Sequence, residues 1–137
     1  MDGRDEFAAV TALLAADRRF AAAVLFGSAA RGALRPGSDI DLAVIYRDNA
    51  ARDEVRANLV QLLGELTISA GREVHLVDLE RVDCELGRRI ASEGRVLFDG
   101  EPPRLGTLFT RALIDYFDWA YARSVIDAGQ ARRLGSG

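Results

Sequence analysis

Two apolar segments joined by a short polar stretch constrain this chain more than any other part of its sequence. Residues 21–26 are apolar and stop at Gly27-Ser28, and residues 40–46 are apolar except for Asp41. A glycine at the end of a buried strand lets the backbone turn and approach a bound group closely. The pattern therefore predicts two buried strands, with a turn at Pro36-Gly37 between them.

The first part of the polar stretch has the composition of a phosphate-binding turn. Ser28 offers a hydroxyl, and a short turn or helix starting there would present free backbone N–H groups to an anion. Arg31 follows about one helical turn later. Its guanidinium can help to neutralise a bound phosphate, and a solvated surface charge is the alternative interpretation.

Two carboxylates lead the second apolar segment. Asp39 and Asp41 are two positions apart, so on a strand both leave the same face, while Ile40 and Leu42 enter the other. Two carboxylates on one face repel each other unless a cation lies between them. Hard oxygen ligands suit Mg²⁺ or Mn²⁺ in contact with triphosphate oxygens, whereas zinc would call for cysteine and histidine. The residues therefore predict a divalent metal site beside a phosphate site.

Together the two motifs resemble the signature of a known superfamily. Gly27-Ser28-Ala29-Ala30-Arg31-Gly32, followed by Ser38-Asp39-Ile40-Asp41-Leu42-Ala43-Val44, is similar to the motif of the DNA-polymerase-β-like nucleotidyltransferases, in their minimal (MNT) branch. Within that branch, the chain most resembles MNT antitoxins that pair with HEPN-domain toxins. The resemblance covers roughly residues 1–100 and includes the segment 74–79.

The resemblance implies an α/β (α+β) nucleotidyltransferase fold, in which a small mixed β-sheet is flanked by helices and followed by a C-terminal helix. The metal ligands and catalytic carboxylates that it implies are Asp39 and Asp41, with Mg²⁺ or Mn²⁺ as the ion. The residues that it implies for binding ATP are Gly27, Ser28, Arg31 and Ser38. In the family's reaction a hydroxyl attacks the α-phosphate and pyrophosphate leaves, while metal ions neutralise the developing charge.

The chain departs from the family pattern at a third catalytic position. A carboxylate normally lies there on a neighbouring strand, and this chain has His75. Three interpretations are open. A neutral imidazole can take the proton of the attacking hydroxyl. Glu73, two residues earlier and on the same strand face, can supply the missing carboxylate. In the third interpretation the site binds nucleotide with little turnover. Asp78 faces the other way and is expected to be a turn or cap residue.

Composition narrows the class of protein. The net charge of −3 argues against a nucleic-acid surface made by overall basicity, and all 18 basic residues are arginine, which excludes Schiff-base chemistry. The single cysteine, Cys84, excludes an internal disulfide and is typical of a reducing compartment. No signal-peptide pattern and no apolar run of the ~20 residues of a membrane span is found. We expect a cytoplasmic protein that binds neither nucleic acid nor membrane directly.

Hydrophobic periodicity predicts the remaining elements. Helices are expected over residues 5–19, 50–69, 83–92 and 107–132, and further strands over residues 73–77 and 95–98. Gly71 and Gly94 should end two of the helices. We take residues 1–100 as the nucleotidyltransferase domain and residues 101–137 as a helical extension of the same single domain, with a frayed end from Arg132.

The C-terminal helix is unusually aromatic. Its apolar residues cover more than one helical stripe and include Phe109, Tyr116, Phe117, Trp119 and Tyr121. One face can therefore pack on the domain while another meets a partner, although burial on the chain's own core would explain the same pattern. Aromatic residues and arginine dominate interface hot spots, so Tyr116, Trp119 and Arg123 are the expected anchors.

The resemblance, together with the size of the chain, implies the antitoxin of a type VII HEPN/MNT pair, a protein adenylyltransferase that moves AMP from ATP to a tyrosine hydroxyl of its HEPN-domain toxin. A catalytic domain without an added substrate-binding domain must obtain its acceptor from a partner, so a hetero-oligomer is expected. Two alternatives stay open. One is an antitoxin that neutralises its toxin by binding alone, and it stays open because His75 stands in place of the third carboxylate. The other is a drug-modifying nucleotidyltransferase, although those usually carry an extra helical domain.

Overall fold

A four-stranded mixed sheet lies at the centre of the protein in the computed structural model, which describes residues 7–32 and 35–135. Its strands are β1 (Phe20–Phe26), β2 (Ile40–Tyr46), β3 (Val74–Asp78) and β4 (Arg95–Asp99), in the order β3-β2-β1-β4. β1 runs antiparallel to both β2 and β4, whereas β2 and β3 are parallel. The predicted fold class, a small mixed sheet with flanking helices, is confirmed.

Helices cover both faces of this sheet. They are α1 (Ala8–Ala16), α2 (Asn49–Ala57), α3 (Leu59–Ala70), α4 (Cys84–Glu93) and α5 (Arg104–Gly135). Side chains of α1, α2 and α3 share a core with Leu42 and Val44 of β2, while α4 and the start of α5 share a second core with Ala43 and Ile45. β2 is therefore buried on both faces. Asp41 lies on the same face of β2 as Ala43 and Ile45, which α4 and α5 cover.

One predicted helix is divided in two. The periodicity of residues 50–69 predicts a continuous helix, but the structure breaks it at Asn58 between α2 and α3. The Asn58 Nδ2 donates a hydrogen bond to the carbonyl of Glu54 at 3.1 Å. A side-chain amide that takes a helix carbonyl competes with the backbone ladder, which accounts for the break. Gly71 ends α3 in the left-handed conformation, as predicted.

The first helix is shorter than its pattern suggests. It was expected to reach Arg19, but it ends at Ala16, because the Asp17 carboxylate accepts hydrogen bonds from the main-chain N–H and the guanidinium of Arg19 and turns the chain towards β1. The predicted start at residue 5 lies outside the described residues. The predictions for β1, β3, α4 and β4 agree with the structure to within one residue at each end.

The C-terminal helix both packs on the domain and extends past it. Gly87 of α4 allows close packing, since a Cβ there would lie 3.3 Å from the Cβ of Ala112. Further along, Phe117 is 64% exposed and Tyr121 is 72% exposed. The helix begins three residues before the predicted start and continues through Gly135, so the expected fraying from Arg132 is wrong for the backbone up to that residue. Within the described ranges, no helix combines the length and apolar character needed to cross a membrane.

A buried arginine ties α2 to the end of β3. Arg52 is 6% exposed, and its Nε donates to Asp78 Oδ2 at 2.6 Å while Nη2 donates to Glu80 Oε1 at 3.1 Å. Its guanidinium carbon also lies 5.5 Å from the centre of the Tyr46 ring. Asp78 Oδ1 accepts from the backbone N–H of Glu80, which is the predicted turn role. The ion pair with Arg52 adds a second role to Asp78.

Removing this arginine should destabilise the fold. Arg52→Ala leaves the partly buried carboxylate of Asp78 without its counter-charge, so the free energy of unfolding should fall by about 3 kcal/mol, at the low end for a broken buried pair. Urea denaturation followed by circular dichroism measures this. Arg56→Ala, at an exposed position of the same helix, is the matched control and should change stability by less than about 0.5 kcal/mol. Equal effects of the two variants would contradict the assignment.

Candidate functional site

The parallel pairing of β2 with β3 brings four polar side chains together at one end of the sheet. Asp41 is the register partner of His75, and the N–H of Ile40 donates to the carbonyl of Glu73 at 2.9 Å. Alternate residues of a strand share a face, so Asp39 and Asp41 lie on the same face as Glu73 and His75. We call Asp39, Asp41, Glu73 and His75 the strand-end cluster.

Gly27 lies against this cluster because β1 pairs with β2 up to Phe26 and Asp41. Gly27 has φ +73°, and a Cβ built there would be 2.7 Å from Asp41 Oδ2. Any other residue would strain the backbone and also displace the carboxylate. The sequence predicted close approach of a bound group at Gly27, and the structure shows close approach of the Asp41 side chain.

The segment after Gly27 forms a single compact turn. The N–H of Arg31 donates to the carbonyl of Gly27 at 3.4 Å, and that of Gly32 donates to the carbonyl of Ala29 at 3.2 Å. Ala29 is buried in the core and anchors the turn, while Ser28 is half-buried. Ser28 is thereby held beside Gly27 at the same end of the sheet as Asp41.

Arg31 and Ser38 make contacts away from the strand-end cluster. The Arg31 guanidinium lies 3.7 Å from the carboxylate of Glu93, and both side chains are exposed, so the pair is weak. Ser38 Oγ accepts a hydrogen bond from the N–H of Arg35 at 3.0 Å and closes the turn that contains Pro36-Gly37.

Sequence reasoning missed Arg72, which fastens this turn. Its Nη1 donates to the carbonyls of Arg35 at 2.7 Å and Ser38 at 3.3 Å. The segment that precedes Asp39 is thus held against the start of β3. A contact between residues more than 30 positions apart leaves no mark in a local sequence pattern, so no signal could have found it.

His75 contacts the catalytic carboxylate predicted from the motif. Its Nε2 lies 3.0 Å from Asp39 Oδ2 and 3.9 Å from Glu73 Oε1. Which of the two atoms donates in this contact depends on the tautomer of the imidazole. About half of each side chain of the His75–Asp39 pair is exposed to solvent. Both residues proposed from sequence to replace the third carboxylate, His75 and Glu73, therefore lie in one cluster with Asp39.

The position of Asp41 disfavours the ionised form of its carboxyl group. Burial raises the pKa of its carboxyl above the usual value, and the nearby charge of Asp39 raises it further, while His75 acts in the opposite direction. Burial disfavours the ionised form because a charge is poorly solvated there. A cation bound beside Asp41 would relieve this cost.

The spacing of the donor atoms suits a divalent cation. Asp39, Glu73 and His75 each offer a ligand atom, and the three atoms lie within 4.8 Å of one another. Ligands at right angles around an ion and about 2.1 Å from it are about 3 Å apart, which matches the 3.0 Å between Asp39 and His75. Asp41 lies on the same face of β2 but is not one of these three residues. The carboxylates suit Mg²⁺ or Mn²⁺, whereas the imidazole is a donor typical of transition-metal sites.

An open cavity adjoins two members of the cluster, Asp39 and Glu73. It has a volume of about 370 Å³ and is lined by Pro36, Gly37, Ser38, Asp39, Gly71, Arg72 and Glu73. No residue of the Gly27–Gly32 turn lines this cavity.

Comparison with known proteins identifies the domain. A family model described as "Polymerase beta, Nucleotidyltransferase" matches residues 9–102. A solved toxin–antitoxin with AMP-PNP is 25% identical with a TM-score of 0.66, and the alignment covers 92% of this chain and 98% of that one. No curated protein sequence matches.

Two further structures share the fold. A tri-AMPylated HEPN toxin in complex with an MNT antitoxin, from Shewanella oneidensis, is 22% identical with a TM-score of 0.64, over 94% of this chain and 99% of that one. The toxin–antitoxin MntA–HepT is 22% identical with a TM-score of 0.60, over the same shares of the two chains. With a family match over more than half of its length, the chain belongs to the polymerase β nucleotidyltransferase family.

Proposed function

We propose that this protein transfers AMP from ATP to a tyrosine hydroxyl of a HEPN-domain toxin, and so acts as the antitoxin of a type VII pair. The observation that carries the proposal is the meeting of Gly27, Asp39 and Asp41 at one end of the sheet. The solved toxin–antitoxin with AMP-PNP, at 25% identity over 92% of this chain, supports the nucleotide and the partner. The complex that contains a tri-AMPylated HEPN toxin supports the reaction.

In the proposed complex the outer phosphates of ATP lie against the Gly27–Gly32 turn. The Ser28 hydroxyl and main-chain N–H groups of the turn donate hydrogen bonds to them, and Arg31 leaves its weak pair with Glu93 to add positive charge. Ser38 holds the approach to Asp39 in place through its turn. Asp39 and Asp41 would hold Mg²⁺ or Mn²⁺, and the ion would supply positive charge to neutralise the phosphates.

The acceptor then approaches from the cavity side of the cluster. Phosphoryl transfer places the attacking and leaving oxygens roughly in line across the phosphorus. With pyrophosphate leaving towards Gly27-Ser28, the tyrosine hydroxyl arrives beside Asp39 and Glu73, where the cavity opens. Its oxygen bonds to the α-phosphorus, and the bond from that phosphorus to the β-bridging oxygen breaks. The hydroxyl proton passes to His75 or Glu73, or to solvent water when the imidazole binds the cation.

The exposed half of α5 is the proposed surface for the toxin. Trp119 is 42% exposed, and the guanidinium carbon of Arg123 lies 5.5 Å from the centre of its ring. Tyr116 is half-buried and already stacks on Arg88 at 4.8 Å. Trp119 and Arg123 therefore remain the interface anchors that we propose, with Tyr116 supporting Trp119 at a ring distance of 5.9 Å.

Loss of the two aspartates should abolish transfer. The purified protein is incubated with ATP, Mg²⁺ or Mn²⁺ and the HEPN toxin, and the toxin is weighed by mass spectrometry. We expect whole AMP increments with the wild type and none with Asp39→Asn/Asp41→Asn, because the amides cannot hold the metal. Asp53→Asn, an exposed acid on α2, is the control and should leave the increments intact.

Two results of this assay would contradict catalysis. Increments that persist in the double variant would remove Asp39 and Asp41 from the mechanism. A stable complex without increments would favour the second candidate, an antitoxin that masks its toxin through binding alone. That candidate is supported by His75 in the acidic position and by the apolar surface that α5 exposes.

Gly27→Ala should impair nucleotide transfer through Asp41. The new methyl group would clash with Asp41 Oδ2, and misplacement of a catalytic group by about 1 Å commonly costs about 100-fold in rate. Gly32→Ala is the matched control, since Gly32 also has positive φ, at +69°, in the same turn but would meet nothing within 4 Å. Steady-state rates of AMP transfer separate the two. Equal losses in both variants would attribute the effect to backbone strain alone.

His75 and Glu73 can be separated by the same rate measurement. His75 contacts Asp39 directly, whereas Glu73 lies 3.9 Å from His75 and is more exposed. We therefore expect His75→Ala to slow transfer by about 100-fold or more, in the range of a lost catalytic acid or base, and Glu73→Gln by less than about tenfold. The reverse order would assign the role of the third carboxylate to Glu73.

A further inference from the structure

We propose, building on the function above, that His75 is a direct ligand of the catalytic cation and biases the site towards a first-row transition cation such as Mn²⁺ over Mg²⁺. Asp39 and Asp41 alone would give an all-oxygen donor set, which suits Mg²⁺. The imidazole changes the chemistry of the site at the position where the chain departs from its family.

The geometry places the His75 nitrogen where a ligand would be. Nε2 lies 3.0 Å from Asp39 Oδ2, the separation of two neighbouring ligands on one ion, and Glu73 Oε1 completes a set of three within 4.8 Å. When the neutral ring carries its hydrogen on Nδ1, the Nε2 lone pair is directed at the ion that Asp39 holds.

The two strands hold these donors in place before a cation arrives. His75 is fixed by the pairing of β3 with β2, and Asp39 follows the turn that Arg72 fastens. Both side chains are about half exposed, so a hydrated ion can reach them from solvent. A ligand on a rigid strand binds its metal with little loss of conformational freedom.

The preference follows from ligand chemistry. Mg²⁺ binds carboxylate and water oxygens and dehydrates reluctantly, so a neutral nitrogen in place of a carboxylate weakens its binding. Imidazole suits first-row transition ions, and the affinity of mixed nitrogen and oxygen sites rises along that series from Mn²⁺. Replacing a carboxylate by His75 therefore weakens Mg²⁺ binding more than Mn²⁺ binding.

Direct metal titration tests the preference without ATP or toxin. Mn²⁺ binding is followed by electron paramagnetic resonance and Mg²⁺ binding by competition, for the wild type, His75→Asp, His75→Ala and the control Asp53→Asn. We expect the ratio of Mn²⁺ to Mg²⁺ affinity to fall at least about tenfold in His75→Asp, and Mn²⁺ affinity to fall at least about tenfold in His75→Ala, a loss seen even for residues that only support a ligand. Asp53→Asn should change neither.

A spectroscopic readout identifies the ligand itself. His75 is the only histidine of the chain, so a strongly shifted imidazole N–H proton resonance in the Co²⁺-loaded wild type can come from no other residue. The resonance should be absent from Co²⁺-loaded His75→Asp. A circular dichroism spectrum of this variant checks that it is folded. An unchanged affinity ratio in His75→Asp, or Co²⁺ binding without this resonance, would overturn the proposal.

The outcome is separable from that of the proposed function. A metal preference that depends on His75, together with no AMP transfer to the toxin, would contradict the function and leave the ligand assignment standing. AMP transfer to the toxin, with a ratio of Mn²⁺ to Mg²⁺ affinity that does not depend on His75, would support the function and contradict the ligand assignment.

Discussion

The pairing of β2 with its two neighbours is the constraint on which the site depends. Antiparallel pairing with β1 ends at Phe26 and Asp41 and so places Gly27 against a carboxylate. Parallel pairing with β3 sets Asp41 beside His75. A shift of one residue in either register would turn the acidic side chains into the opposite face, where α1, α2 and α3 form a core. The two hydrophobic cores that flank β2 therefore also fix the functional site.

The arrangement of the site lowers the stability of the folded protein when no metal is bound. Burial raises the pKa of Asp41, and Asp39 lies close enough to add repulsion. Gly27 has a positive φ that glycine adopts readily, and a glycine loses more conformational freedom on folding than any other residue. Such costs are usual where a protein is built to receive a cation and phosphates, since bound charges of opposite sign offset them. Arg52, in contrast, is a buried charge that is neutralised by carboxylates of the chain itself, Asp78 and Glu80.

Local sequence patterns were enough to locate the strands, and β2 was predicted to the residue. The arrangement of these strands in a mixed sheet was predicted from the resemblance to the nucleotidyltransferases. They also suggested Gly27, Asp39 and Asp41 as one site, whose chemical roles stay predictions. What they could not reveal depends on contacts distant in sequence. Arg72 on the turn before Asp39 is one example. The helix break at Asn58 was not predicted for another reason. A single side-chain hydrogen bond leaves the hydrophobic periodicity of the sequence unchanged.

The most direct test is a crystal structure of this chain with Mn²⁺ and a non-hydrolysable ATP analogue. We expect the triphosphate to lie against Gly27-Ser28 and the cation to bind Asp39 and Asp41. A nucleotide bound elsewhere on the protein, or a cation that has neither aspartate among its ligands, would contradict the central claim that these strand ends form a nucleotidyl-transfer site.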